Sequence, residues 1–231
     1  VSHEFDFGGQ HFAFAGPRAL YWKERRALLV ADLHLEKASW FAARGQMLPP
    51  YDSRETLARL TALADERQPA EIWALGDSFH DDAGPGRLDA DTIQQIEHLG
   101  RGRQIIWIAG NHDGGAAVPG DRIDEVIIDG IILRHEARAG EIRPELSGHY
   151  HPKARVRSGG RQMFRPCAAY GNNRLILPAF GSLTGGLDIV DPAIRRWLGA
   201  DGEAMVWTEQ RLLRLRIETA AHCGLKVAQS G

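Results

Sequence analysis

Two cysteines in 231 residues, Cys167 and Cys223, are too few and too far apart for a disulfide framework. They form no C-x-x-C pair that would bind zinc or run redox chemistry, so free thiols are expected. No uncharged apolar run approaches the roughly 18 residues of a membrane-spanning helix. Residues 1–7 lack the basic and apolar regions of a secretory signal, and the expectation is a cytoplasmic protein with no membrane association. A basic excess is missing too. With a formal net charge of -2, bulk electrostatics cannot draw the whole molecule onto a polyanion, and any nucleic-acid contact must be local. There is no internal repeat, linker or low-complexity tract. The length suits one hydrophobic core, which places a single domain at 1–217 and a weakly ordered tail at 218–231.

What is present in excess is histidine: ten residues, six of which (His34, His80, His112, His135, His149, His151) lie in or beside short Asp/Asn/Gly clusters. Apolar runs precede several of these clusters. The run 27–31 reads as a buried strand and is followed by Asp32-Leu33-His34. The run 71–75 leads into Gly76-Asp77, and 104–109 leads into Gly110-Asn111-His112-Asp113. Between them, Asp52 with Glu55 has the form of a capping box opening a helix whose apolar stripe is Leu57, Leu60, Leu63 and Ala64, stopped by Pro69. A second helix is expected near 89–99. Strand, helix, strand, helix, strand implies βαβ crossovers, in which ligands bind beyond the carboxyl ends of the strands.

Further short strands are expected at 11–15, 19–22, 130–134, 145–147, 154–157, 175–177, 187–190, 204–208 and 212–217, the later ones forming a mostly antiparallel sheet. His135 follows one of them, and Gly148-His149-Tyr150-His151 follows another. Alternate residues at a strand end can point the same way, which gives D-x-H and H-x-H a geometric sense. A mixture of carboxylate, amide oxygen and imidazole suits Mn²⁺, Fe²⁺ or Zn²⁺ rather than the all-oxygen cages of Ca²⁺ or Mg²⁺. Any one cluster is as well explained by a turn or a surface histidine; five in this order at strand ends are not.

The series resembles the five signature blocks of the calcineurin-like metallophosphoesterases. That resemblance implies an α/β fold, an αββα sandwich of two mixed sheets packed face to face with helices outside and the metal site at the strand carboxyl ends. It implies that Asp32, His34, Asp77 and His151 hold one divalent ion and Asp77, Asn111, His135 and His149 the other, with Asp77 bridging. The implied reaction is phosphodiester hydrolysis by a metal-bridging hydroxide, with His112 assisting the leaving oxygen. Mn²⁺ is the first expectation for the ions, with Fe²⁺ or Zn²⁺ as alternatives.

One departure narrows the family. Many members carry an acid three positions after the bridging Asp, where this chain has His80 in Gly76-Asp77-Ser78-Phe79-His80. That block resembles the double-strand-break-repair nucleases of the superfamily, and His80 either works beside His112 or hydrogen-bonds Asp81 or Asp82 at a loop start. The stretches 32–38, 45–52 and 177–186 make nearly the whole chain similar to the bacterial ligase-associated DNA damage response endonucleases. This implies a DNA substrate, with a repair ligase and helicase or nuclease partners. A small-molecule phosphodiesterase, a nucleotide pyrophosphatase and a non-catalytic metal-binding scaffold are the alternatives. Lys37, Arg155, Arg157 and Arg161 are candidate phosphate contacts, although basic residues on a strand equally make a solvated face. Trp40 and Phe41 can stack a base or belong to the core.

Overall fold

The computed structural model describes residues 3–111, 118–158, 161–217 and 225–226. The first half supplies strands β1 (Glu4–Phe7), β2 (Gln10–Gly16), β3 (Ala19–Trp22), β4 (Ala27–Ala31), β5 (Glu71–Leu75), β6 (Gln104–Ile108) and β7 (Asp121–Ile123). It also supplies helices α1 (Lys37–Ala42), α2 (Asp52–Arg67) and α3 (Ala90–Leu99). The seven strands form one sheet in chain order, antiparallel from β1 to β4 and parallel from β4 to β7.

The parallel strands are buried on both faces, which is why they read as continuous apolar runs rather than as alternations. In β4, Ala27, Leu29 and Ala31 enter one core while Leu28 and Val30 enter another. The second of these cores is closed by Leu57, Leu60 and Ala64 of α2 and by Ile96 and Leu99 of α3. Helix α2 stops where Gln68 turns left-handed (φ 47°) just before Pro69, whose ring disfavours a helical predecessor.

The second half contributes β8 (Glu125–Ile128), β9 (Ile131–Arg134), β10 (Glu145–Ser147), β11 (Lys153–Ser158), β12 (Arg161–Pro166), β13 (Ala168–Gly171), β14 (Arg174–Ile176), α4 (Pro192–Leu198), β15 (Glu203–Trp207), β16 (Leu212–Arg216) and β17 (Leu225–Lys226). A second seven-stranded sheet runs β16-β15-β13-β14-β10-β9-β8, and β12-β11-β17 form a three-stranded annex. The second sheet is mixed, because β10 runs parallel to both β9 and β14. Its other four pairings are antiparallel, so the sheet is mostly antiparallel, as expected. Leu29, Trp73, Leu75, Ile106 and Ile108 of the first sheet face Ile131, Leu133, Leu146, Leu175 and Met205 of the second. Helix α4 covers the far side through Ile194 and Leu198. The architecture is thus helix, sheet, sheet, helix.

Several local expectations are corrected. Tyr51, not Asp52, caps α2, and the Asp52 carboxylate instead accepts the Ala38 backbone N–H at 3.0 Å, tying α1 to α2. Residues 187–190 form no strand; only Asp188 makes an isolated bridge, to Lys153. Of the expected tail, 225–226 pair with Val156 and Arg157 of β11, and the remainder lies outside the described residues. Among the described residues no helix is long and apolar enough to cross a membrane.

Leu29 is fully buried between the sheets. Leu29→Ala should lower the unfolding free energy by about 2–5 kcal/mol, the range for a core leucine truncated without collapse of the cavity. Urea unfolding in the presence of a chelator, so that metal binding does not add to the measurement, is the check.

Candidate metal centre

The metal centre is built where β4, β5, β6, β9 and β10 end. After β4 the backbone takes left-handed φ at alternate residues, Asp32 (52°), His34 (45°) and Glu36 (63°). Leu33 and Leu35 between them go into the core under α2. This alternation is the structural content of the D-x-H spacing: the apolar residues anchor and the polar residues face the rim. The segment is held by its neighbour after β5, since the Asp32 N–H donates to the Gly76 carbonyl (3.2 Å), that of His34 to Asp77 (2.9 Å) and that of Leu35 to Ser78 (2.9 Å).

Glycines set how closely the strand ends approach. A Cβ on Gly76, itself at φ +73°, would lie 2.1 Å from His135 Nδ1; one on Gly110 would lie 2.1 Å from the Asp77 nitrogen; one on Gly148 would lie 2.6 Å from Asp32 Oδ2. Each of the three precedes a polar block. Asp77 (φ 43°), His149 (73°) and His151 (49°) are also left-handed. A non-glycine residue held there costs of order 1–3 kcal/mol, and such strain clusters at functional sites because the surrounding structure imposes it.

Two groups of donors result, Asp32 with His34 and His151, and Asp77 with His135 and His149. In the first, His34 Nε2 and His151 Nε2 are 3.2 Å apart and His151 Nε2 is 3.6 Å from Asp32 Oδ1. In the second, His135 Nε2 and His149 Nδ1 are 3.0 Å apart and His135 Nε2 is 3.5 Å from Asp77 Oδ1. The groups adjoin, with His135 Nδ1 3.7 Å from Asp32 Oδ1. Metal bonds of about 2.0–2.2 Å leave neighbouring ligand atoms about 3–3.5 Å apart, so this spacing and the mixed carboxylate and imidazole donors fit a divalent transition ion.

The surroundings favour the ligand forms. Burial, and then the neighbouring His135, push the His149 imidazole towards its neutral state, the state that binds metal. His149 Nδ1 faces His135 while its Nε2 lies 3.7 Å from Glu136 Oε1, which places a carboxylate beside the ring but beyond hydrogen-bond distance. The Asp32 carboxylate accepts the His149 backbone N–H with both oxygens, at 3.1 and 2.9 Å.

The other candidate residues fall in different places. Asn111 is an exposed turn residue directly after Gly110, on the same rim, and His112 lies outside the described residues. His80 follows β5 and is hydrogen-bonded through its N–H to the Leu35 carbonyl (2.9 Å). Its ring stacks on Phe41 (6.0 Å), meets Trp40 edge-on (4.8 Å) and lies 5.8 Å from the ring of His34. Asp81, one of its expected partners, is paired with Arg87, which also reaches Ser39 of α1 at 2.9 Å. Lys37 opens α1 half-buried; burial lowers its ammonium pKa, opposed by Asp52.

Arg155 is held by Asp188 at 2.6 Å, whereas Arg157 and Arg161 are exposed on the β11–β12 hairpin. None of Lys37, Arg155, Arg157 and Arg161 lines the cleft of ≈ 430 Å³ beside the candidate ligands His149 and His151. That cleft is walled by Glu136, His149, Tyr150 and His151 on one side and by Gly186, Leu187, Ala193 and Arg196 on the other. Glu136, Tyr150 and Arg196 were missed in the sequence. The first two adjoin predicted ligands and were legible by proximity, while Arg196 had no local signal.

A family model described as calcineurin-like phosphoesterase matches residues 25–212. The fold is similar to that of a Pseudomonas putida nuclease named MPE in its crystal structure, with 29% identity and a TM-score of 0.69, covering 89% of this chain and 96% of that one. A phosphoesterase from E. coli, Yfce, aligns at 12% identity and a TM-score of 0.40 over 83% of this chain and 98% of that one. No protein with a curated description matches the sequence.

Equilibrated with excess Mn²⁺ and then desalted, the wild-type chain should retain two ions per molecule. Gly76→Ala and Asp77→Asn should each retain fewer, the first because the new methyl occupies the space of the His135 ring. Elemental analysis decides it: one ion or none in the wild type, or undiminished loading in both variants, would show that these donors do not form a two-metal site.

Proposed function

We propose, from the premise that the chain belongs to the calcineurin-like phosphoesterase family, that this metal-dependent phosphoesterase is a nuclease hydrolysing the phosphodiester backbone of DNA. The observation that carries the reading is the pair of adjoining carboxylate and imidazole triads on one rim, in a fold shared over nearly its whole length with a nuclease. The strand-end glycines and left-handed ligands bring the donors of each triad within 4.8 Å of one another, strain of the kind that clusters at functional sites.

In this reading Asp32, His34 and His151 hold one ion and His135, His149 and Asn111 the other, with Asp77 between them. Two divalent ions, when bound, supply an activated water and neutralise charge on the phosphate in an in-line displacement. The protein's own part is positional and protonic. Asp32 fixes the His149 backbone, and Glu136 places a carboxylate beside the ring of His149. His112, next to Asn111, protonates the leaving oxygen. His80 stands behind His34 on the aromatic wall of α1 and supports that ligand's position; a share in the proton transfer is the other role open to it. The resemblance of 32–38, 45–52 and 177–186 to ligase-associated endonucleases assigns the activity to DNA repair, with Mn²⁺ as the working ion and a repair ligase among its partners.

Two measurements test this. Purified protein with Mn²⁺ should cleave single-stranded, nicked or duplex DNA as well as a nitrophenyl phosphodiester; hydrolysis of cyclic nucleotides or nitrophenyl diesters with every form of DNA left intact would make it a small-molecule phosphodiesterase. His112→Ala should lower kcat on DNA by roughly 10²–10⁴, the range for a positioned acid, with far less effect on the nitrophenyl diester, whose leaving group needs no proton. Metal content should stay that of the wild type. His80→Ala should follow the same leaving-group pattern only if it shares the proton transfer. Equal losses on both substrates with loss of metal would assign these histidines to building the site.

A further inference from the structure

Among the described residues, the cleft beside His149 and His151 has one arginine or lysine on its walls, Arg196 of α4. Arg196 is exposed, but its guanidinium is not loose. It lies over the Trp197 ring, 4.6 Å from the ring centre, and that indole in turn donates its Nε1–H to the Tyr150 hydroxyl. Tyr150 is itself fixed, accepting from Trp197 Nε1 (2.9 Å), donating to Glu136 Oε1 (3.2 Å) and stacking edge-on against His149 at 4.8 Å. A planar guanidinium stacked on an aromatic face is pre-organised, so less freedom is lost when it grips a tetrahedral anion with two N–H groups. Arg155, by contrast, is occupied by Asp188.

The one carboxylate on the wall, Glu136, is engaged by Tyr150 and His149, both tied to the metal centre. An anion entering the cleft therefore meets Arg196 on the α4 side and metal ligands on the other. The volume, ≈ 430 Å³, lies within the range of pockets that enclose a small ligand. His149 and His151 belong both to the cleft wall and to the two donor groups, so the cleft opens directly from the place where a phosphodiester would sit.

We propose that the cleft is a second phosphate subsite, in which Arg196 binds the phosphate adjacent to the one hydrolysed, making a nucleotide unit with phosphates on both ends of the sugar the preferred occupant. The proposal rests on the reading of the metal centre as a phosphodiesterase, and it adds a substrate requirement that small diesters do not meet.

The test is inhibition of nitrophenyl-diester hydrolysis by the Mn²⁺-loaded full chain, using thymidine 3′,5′-bisphosphate against the 3′- and 5′-monophosphates. The ratio of inhibition constants is taken within each variant, so that changes in turnover cancel. In the wild type the bisphosphate should bind about tenfold more tightly than the better monophosphate, and Arg196→Ala should bring that advantage down to about twofold or less. Arg196→Lys should keep part of it, having charge without the planar fork. Arg195→Ala, which removes a neighbouring exposed cation outside the cleft, should keep all of it. No advantage in the wild type, or an advantage that survives Arg196→Ala, overturns the subsite. Failure to cleave DNA while the advantage tracks Arg196 overturns the nucleic-acid reading alone, and DNA cleavage without the advantage overturns the subsite alone.

Discussion

Two buried carboxylates and four buried or half-buried imidazoles gathered at one end of two sheets are the constraint on which the rest of this structure depends. Asp32 and Asp77 are almost completely withdrawn from water, and an ionised carboxylate so placed is costly unless a cation or several donors meet it. The chain provides some of the donors from its own backbone, as when the His149 N–H bridges both oxygens of Asp32. Imidazoles also lie close to both aspartates, with His135 and His151 3.7 and 3.6 Å from Asp32 and His135 3.5 Å from Asp77, a setting in which a dication can meet the charge.

The fold follows from that constraint more than the constraint follows from the fold. Donors only about 3–4 Å apart require strand ends that nearly touch, and strand ends carrying Cβ atoms do not touch. Gly76, Gly110 and Gly148 remove those atoms at three close approaches between strand ends. The left-handed turns at Asp32, Asp77, His149 and His151 then aim the side chains inward while the residues between them stay in the core. Packing against α2 and α3 on one side and the second sheet on the other holds this strained rim in place.

Sequence reasoning recovered the parts governed by local pattern. The buried strands at 27–31 and 71–75 and the α2 span stood out because a strand covered on both faces has to be continuously apolar and a long amphipathic helix has to be periodic. The strands β1, β7, β8, β12 and β13 did not, being short, mixed in polarity, or stabilised by partners far along the chain. The capping box at Asp52 was a sound local inference defeated by a tertiary competitor, the Ala38 N–H. For the candidate site, the donors were legible as residue types after apolar runs, and their grouping into two sets came only from the family resemblance, since His135, His149 and His151 come from a sheet whose register the sequence does not show. Arg196 was invisible for the same reason: only the packing of α4 on β13 and its neighbours carries it to the rim.

The rim is also asymmetric, and the asymmetry bears on what kind of molecule it receives. On the His34 side the wall is aromatic, Trp40, Phe41 and His80, with Arg44 lying 3.7 Å above the Trp40 ring. On the His149 side it is cationic and hydrogen-bonding, with Arg196 and Tyr150. Flat apolar rings suit a base, and a held guanidinium suits a phosphate. A small symmetric diester uses neither wall. On the proposed nuclease reading, a strand crossing the rim would present a base to one wall and a phosphate to the other. The lack of bulk positive charge noted in the sequence is consistent with this arrangement, because recognition is then concentrated at the rim instead of being spread over the surface.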